Sequence, residues 1–339
     1  MMKTFPEKIE ISHRTIIFTL ATLATSWILL KLLDVIFLIF IAFIFVSTLR
    51  SPVDFLVKRK IPRPLSIGII YLVVIGLIIL IFRVIIPPLI EQTSLLIENL
   101  PSLINQVNDI LIINNISSDQ ISGSITGQLG NFGSNAVTIT AGFFNSIFSI
   151  MTMFVITFYS LLYWEQITNM VKSLFTGENE KRAEKLIKNL EFGLGAWVRG
   201  QITLVIIIGV ITYIGLALLG VPYALPLAIV AGLSEIVPVI GPIVGAIPAI
   251  LAGFTVSPII GIATVALYFV IQQLENNLIV PTVMRRAIGI NPLVTILALI
   301  IGTKLYGIMG AVLAVPVAVT IKIFANEFFV GRLPKTKKD

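Results

Sequence analysis

Two clusters of polar side chains lie inside long apolar runs of this 339-residue sequence. Glu235 follows Ser234 in the run 222–254, and Pro238, Gly241, Pro242, Gly245 and Pro248 come soon after. Gln272, Gln273, Glu275, Asn276 and Asn277 interrupt the run 258–280, which Pro281 closes. An ionisable side chain at bilayer depth costs at least ~2.5 kcal/mol, so it faces a bundle interior or a water-filled cavity. Broken backbone at that depth is tolerated only where protein or a cavity satisfies it. Carboxylates and amides held in this way can bind a cation, a proton or a small polar solute. Gln272, Glu275 and Asn276 stand at i, i+3 and i+4, which puts them on one face of a helix. That face must meet another polar surface, and the Ser234–Glu235 segment is the expected one. Lys304, in the run 292–326, is the cation expected to offset one carboxylate.

Other chemistries lack their residues. Cysteine is absent, so disulfides and thiolate metal sites are excluded, and His13 is the sole histidine, which argues against His-based catalysis or a multi-His metal site. No GxxxxGK, HExxH or GxSxG pattern occurs, so neither a nucleotide-driven pump nor a familiar hydrolase is expected. The reading is of a non-enzyme with no cofactor and no resident metal.

The elements that carry these residues are membrane helices. The sequence is 57% hydrophobic and 12% charged, and its mean hydropathy is +1.02. Soluble domains carry about 25% charged residues. Several runs are long enough to cross a ~30 Å hydrocarbon core as helices, and no alternating ~10-residue strands of a barrel are visible. The expected fold class is an all-α polytopic membrane protein. It has about eight transmembrane segments, with broken or re-entrant hairpins in the C-terminal half.

The run 15–49 is too long for one span and predicts two short helices turning near Lys31–Asp34. A third span runs from about Leu65 to Ile86 and stops at Pro87-Pro88. Residues 1–86 thus form the N-terminal helices, and 87–140 an extracytoplasmic amphipathic segment. In the latter, Leu89, Leu96, Leu100, Leu103, Val107 and Ile110 make an apolar stripe, and 114–133 read as a loop. A span covers 141–164, a cytoplasmic amphipathic helix 165–199, the transport core 200–330 and a tail 331–339. Basic clusters fall at 3–14, 50–63, 165–199, 285–286 and 332–338, whereas no Lys or Arg lies between Arg83 and Lys172. The positive-inside rule therefore puts both termini in the cytoplasm and 87–140 outside. That topology accounts for most of the net charge of +7 and leaves no reason to invoke nucleic acid.

The runs 222–254 and 292–326 resemble each other. Laying Pro226 on Pro292 puts Gly241 on Gly307, and a two-residue slip puts Pro248 on Pro316. The second run divides around Thr303-Lys304. The two runs enter from opposite sides, and paired interrupted segments in inverted halves point to a transporter's binding site. Gly241 and Gly245, and likewise Gly307 and Gly310, allow hairpin arms to approach closely. Proline nitrogens at 238, 242, 248 and 316 cannot donate, which leaves carbonyls free to accept.

Three stretches resemble the AI-2E family of bacterial membrane transporters. They are Tyr268-Phe-Val-Ile-Gln-Gln-Leu-Glu-Asn-Asn-Leu-Ile-Val-Pro-Thr-Val-Met284, Glu235-Ile-Val-Pro-Val-Ile-Gly-Pro-Ile-Val-Gly-Ala-Ile-Pro248 and Gly307-Ile-Met-Gly-Ala-Val-Leu-Ala-Val-Pro316. The resemblance implies a transporter of the bacterial inner membrane and a homo-oligomer, with a pentamer as the suggested size. Activities named in the family include autoinducer-2 export and sodium/proton antiport. The first expectation is a secondary transporter moving a small hydrophilic solute by alternating access, coupled to a proton or cation. A sodium (or potassium)/proton antiporter is the alternative within transport, and a non-transporting membrane scaffold is the alternative of another class.

Overall fold

The computed structural model describes residues 13–111, 147–284 and 291–328. Every regular element in these stretches is helical. In chain order they are α1 (His13–Lys58), α2 (Arg63–Leu111), α3 (Ile147–Leu162), α4 (Trp164–Ser173) and α5 (Glu178–Leu218). There follow α6 (Ala224–Ser234), α7 (Ile240–Val256), α8 (Pro258–Leu274), a π-helical segment Glu275–Ile279, α9 (Val280–Met284) and α10 (Pro292–Phe328). The 1–12, 114–133, 285–290 and 331–339 assignments lie outside the described residues.

Among the described residues, five helices are long and apolar enough to cross a membrane: Val35–Lys58, Arg63–Pro88, Glu178–Leu218, Pro258–Met284 and Leu293–Phe328. A sixth crossing is counted if Ser149–Leu162 and Trp164–Ser173, bent by 76°, form one span. The described residues do not reach the expected count of about eight, for two physical reasons. The run 15–49 belongs to one unbroken helix of 46 residues, with no turn at Lys31–Asp34. At ~1.5 Å per residue α1 is about 70 Å long, so its ends do not return to one face. The run 222–254 is a pair of helices of 11 and 17 residues, each shorter than the ~20 needed to span.

The expected stop at Pro87-Pro88 is also corrected. α2 continues through both prolines to Leu111. Each proline removes one i→i−4 bond, freeing the carbonyls of Arg83 and Val84. These lie at the end of the apolar span, where water can satisfy them.

Two hydrophobic clusters bind the N-terminal helices to the core. In one, Ile44 of α1 packs with Leu194 and Trp197 of α5 and with Leu313, Val315 and Val319 of α10. In the other, Val46, Leu49 and Val53 of α1 meet Ile67 of α2, Leu161 of α3 and Trp164 of α4. One end of this bundle is charged. Arg50 donates to both carboxylate oxygens of Glu191 at 2.6 and 2.7 Å, and its guanidinium stands over the Trp164 ring at 5.9 Å. Asp54 joins Arg50 at 3.4 Å and Arg63 at 3.5 Å, and Arg63 Nε donates to the Leu161 carbonyl at 3.0 Å. Lys185 reaches Glu327 at 3.0 Å, bringing the C-terminal end of α10 to the same face. Along α5, Trp197, Gln201, Leu204, Ile208, Thr212 and Leu216 are buried at helical spacing and form the stripe on which the hairpins pack.

Candidate functional site

Two hairpins and one irregular helix position the polar residues. In the first hairpin, α6 and α7 run antiparallel and their tip is 235–239. The arms touch through backbone. A Cβ on Gly241 would lie 1.8 Å from the Ser234 carbonyl oxygen, and one on Gly245 would lie 2.9 Å from Ala231 Cα. Only glycine permits this approach. Val239 at the tip holds φ +71°, a left-handed conformation that is an outlier for a β-branched residue. Gly232 seats α6 on α5, because its Cβ would lie 2.5 Å from the Val205 carbonyl oxygen.

The second hairpin is α10. Its helical path breaks at Tyr306 and Gly307, where Gly307 has φ +58°. The arms then meet at Gly302 and Gly310, where an added Cβ would lie 2.3 Å or less from the opposing carbonyl oxygen. The division of 292–326 is thus present, but at Tyr306–Gly307 rather than at Thr303-Lys304. The sequence overlay also shifts. Gly310, not Gly307, makes the arm-to-arm contact that Gly241 makes in the first hairpin. The two hairpins meet near the site, where Val237 of the first tip packs with Leu299, Ala311 and Ala314 of α10.

Glu235 and Glu275 are the two buried ionisable side chains among the described residues, at 3% and 6% exposure. Their carboxyl groups face each other within hydrogen-bonding reach. A hydrogen bond between two carboxyls requires a proton on one of them. Gln272 Nε2 donates to Glu275 Oε2 at 3.2 Å. Glu275 opens the π-helical segment 275–279, and such single-turn bulges are frequent at functional sites. Glu275 follows buried Ile271 by four residues and faces inward with it, whereas the polar face expected around it is not buried as a whole. Gln272 is half-buried, while Gln273, Asn276 and Asn277 are exposed. Asn277 is satisfied within its own helix, donating to the Gln273 carbonyl at 2.9 Å. Ser234 likewise donates to the Val230 carbonyl at 2.8 Å and is half-buried beside Glu235. Lys304 is exposed on the second hairpin, and no ion pair among the described residues joins it to either glutamate.

The backbone residues divide similarly. Gly241, Pro242, Gly245, Gly310 and Pro316 are buried, Pro238 and Pro248 are half-buried, and Pro281 and Gly307 are exposed.

One residue at the site was not singled out from sequence. Gln201 of α5 is buried, and its Nε2 donates to the backbone carbonyl of Glu235. That carbonyl can only accept, so the amide orientation is fixed and Oε1 is left as a buried acceptor with no donor. The signal was available: Gln201 falls in register with Leu204, Ile208, Thr212 and Leu216 on one helical stripe. A lone glutamine after Arg199 reads instead as the polar border of a span.

The site is therefore rich in oxygen acceptors: two carboxyls and the Gln201 amide oxygen. No group of three or more acidic, His or Cys residues suited to a metal occurs among the described residues.

Comparison with known proteins covers nearly the same stretch of chain. The AI-2E family transporter model matches residues 16–329. YueF of Bacillus subtilis, named as a candidate transport protein, is 32% identical over 291 residues, 81% of this chain and 79% of that one. YrrI of the same organism, similarly named, is 30% identical over 317 residues, 89% of this chain and 88% of the other. A sodium-lithium/proton antiporter of Halobacillus andaensis is 25% identical over 277 residues, covering 76% of this chain and 79% of its own.

Proposed function

We infer a coupling chemistry from one premise: this chain belongs to the AI-2E family of transporters. It is a multi-pass membrane transporter. We propose that it is a secondary transporter whose driving step exchanges a proton for a monovalent cation at Glu235 and Glu275. The observation that carries this reading is the contact between two buried carboxyls with no basic side chain paired to them. Such a pair holds one proton between its members, and its protonation steps belong to the pair. When the proton leaves, the second negative charge needs a counter-ion, because an unpaired charge is expensive to keep buried. A desolvated cation supplies it. The 25% identity to a sodium-lithium/proton antiporter is compatible with this chemistry.

The glycine-seated hairpins are the moving parts of an alternating-access cycle. Each bears on its partner arm through backbone, so an arm can slide without dragging interlocked side chains. The protein acts in the inner membrane of a bacterium with its charged end toward the cytoplasm. The contact between Lys185 and Glu327 supports putting the C-terminus on that face. Homo-oligomeric assembly remains part of this proposal, since Gln273, Asn276 and Asn277 expose polar groups on a span and a neighbouring subunit would cover them.

A second reading, export of a small hydrophilic solute, draws on those same exposed amides. They would line a solute path only if water or another subunit reaches them. Purified protein in liposomes separates the readings. Imposed sodium, lithium or potassium gradients should drive proton movement in the opposite direction. Absence of cation-dependent proton flux, with flux of a labelled polar solute in the same vesicles, would replace the first reading by the second.

A further inference from the structure

The ten residues of α4 carry three distinct faces, and the third of them has no partner within the chain. At about 100° per residue, Trp164, Thr168 and Lys172 occupy one sector. Trp164 is buried and the other two are half-buried, so this sector packs on the protein. Glu165, Gln166, Asn169 and Ser173 fill a second sector and are all exposed and polar. Ile167, Met170, Val171 and the capping residue Leu174 fill the third, and all are exposed and apolar, Met170 at 71% and Leu174 at 73%.

This third face continues a row of exposed apolar side chains on the preceding helix. Along α3, Met151, Val155 and Tyr159 are exposed at four-residue spacing, and Tyr163 extends the row. Beyond the 76° bend, Ile167, Met170 and Leu174 are exposed at three- and four-residue spacing. Tyr159 and Tyr163 stack at the bend, with centroids 6.3 Å apart and planes 6° from parallel. Tyrosines collect at the membrane–water boundary, where an apolar ring and a polar hydroxyl are both satisfied. A near-perpendicular turn at that level lays the following helix in the plane of the membrane.

We propose that α4 is an interfacial helix: its Ile167–Met170–Val171–Leu174 face inserts at the headgroup–acyl boundary of the bilayer. Its Glu165–Gln166–Asn169–Ser173 face stays in water. Insertion is driven by the apolar face rather than by attraction to anionic lipid. The reason is that the lysine on α4 is already committed: Lys172 lies 3.9 Å from Glu184, which also holds Lys188 at 2.7 Å.

The sequence contains no cysteine, so single cysteines introduced into the full chain report on one position each. Nitroxide labels at positions 168, 169, 170, 173 and 174 are compared in liposomes by their collision with oxygen, enriched in lipid, and with a water-soluble nickel complex. At 170 and 174 oxygen should dominate several-fold, and at 169 and 173 nickel should dominate several-fold. Position 168 should be shielded from both. The depth at 170 and 174 should be the same in neutral and anionic bilayers. Labels at 170 and 174 shielded from both reagents, with spin–spin broadening, would mean that a second copy covers the face and would overturn the proposal. Nickel dominance at both positions, or a depth that collapses in neutral lipid, would overturn it as well.

Discussion

Glu235 has two separable jobs: its backbone carbonyl accepts from Gln201 at a hairpin tip and its side chain shares a buried pair. Glu235→Gln keeps the shape and the Gln201 contact while removing the acid. Cation-driven proton flux should fall by roughly tenfold or more, equivalent to ~1.4 kcal/mol of barrier or greater. The remaining flux should lose most of its pH dependence, measured as initial rate against pH at matched protein density. Glu275→Gln should do the same, and the double variant should be little worse than either single one, because the pair works as a unit. Independent, multiplicative losses would argue against a shared site. Gln201→Leu tests the other half of the geometry. It strands the Glu235 carbonyl in a buried place, at a cost of about 1–3 kcal/mol in stability, read as a lowered unfolding temperature in detergent. At this scale the sequence was legible where a charge had nowhere else to go. Glu235 and Glu275 stand in separate apolar runs, and each needed a polar partner. Gln201 was not legible, because its role depends on which backbone arrives beside it. The exposure of Gln273, Asn276 and Asn277 was hidden too, since spacing does not say how wide a face the neighbouring helices cover.

Hairpin arms that touch through backbone make glycine substitution a sharp probe of the elements. Gly241→Ala and Gly310→Ala would each drive a Cβ to within 2 Å of an opposing carbonyl oxygen. Each should cost about 1–3 kcal/mol, the range for overpacking, and should reduce folded yield and unfolding temperature together. Gly68→Ala on α2 is the control, with nothing within 4 Å of the new methyl. It should be neutral or stabilise by up to ~1 kcal/mol through helix propensity. The α4–α5 elbow responds to acid. Hydrogen bonding from Lys188, with the charges of Lys172 and Lys188, holds the Glu184 carboxyl below its usual range. Its stabilising contribution is therefore present above the ordinary carboxylate range and is lost as pH falls through the lowered value. The mobility of a nitroxide at position 173 should rise on that acid limb, and Glu184→Gln should abolish the step. Element by element, the start of α8 was readable, with Ser257 accepting from Ile260 N at 3.2 Å and Pro258 beside it. The continuity of α1 through Lys31–Asp34 was not. Two charges four positions or fewer apart look like a turn in a list of residues, whereas the ladder of backbone bonds runs through them unbroken.

For the whole molecule, the charged end works as a clasp. Arg50 connects α1 to α5 through Glu191, while Asp54 and Arg63 extend the network to α2 and the Leu161 carbonyl extends it to α3. Arg50→Lys retains the charge but loses the planar guanidinium that reaches Glu191 through Nη1 and Asp54 through Nε, and the stacking on Trp164. It should destabilise the fold by about 1–3 kcal/mol, the range of hydrogen bonds to charged groups. The loss should be compared with Lys185→Ala, whose exposed pair should contribute less than ~1 kcal/mol. Equal effects from the two would deny the clasp its special place. The all-helical membrane class and the interrupted hairpins could be read from composition and from Gly–Pro punctuation. The number of crossings could not, because length alone does not distinguish two short spans from a long helix or a shallow hairpin.

Arg199 gives a reference point for the depth of the carboxyl pair. Its guanidinium folds back toward the charged end, close to where a Cβ on Gly195 would sit beside the Ser47 carbonyl. A long basic side chain that reaches back in this way marks the border of the hydrocarbon. Gln201, which holds the Glu235 backbone, is only two residues farther along the same helix, about 3 Å of rise. An ion arriving from the charged face would thus traverse a small part of the transmembrane field before binding. A full crossing at 100 mV is worth ~2.3 kcal/mol per elementary charge. For the proposed exchange, cation affinity from that face should hardly change with membrane voltage. Nearly all of the voltage sensitivity should reside in the step that carries the hairpin tip toward the other side. The protein would then behave electrically as a shallow well beside a wide barrier, not as a binding site halfway across.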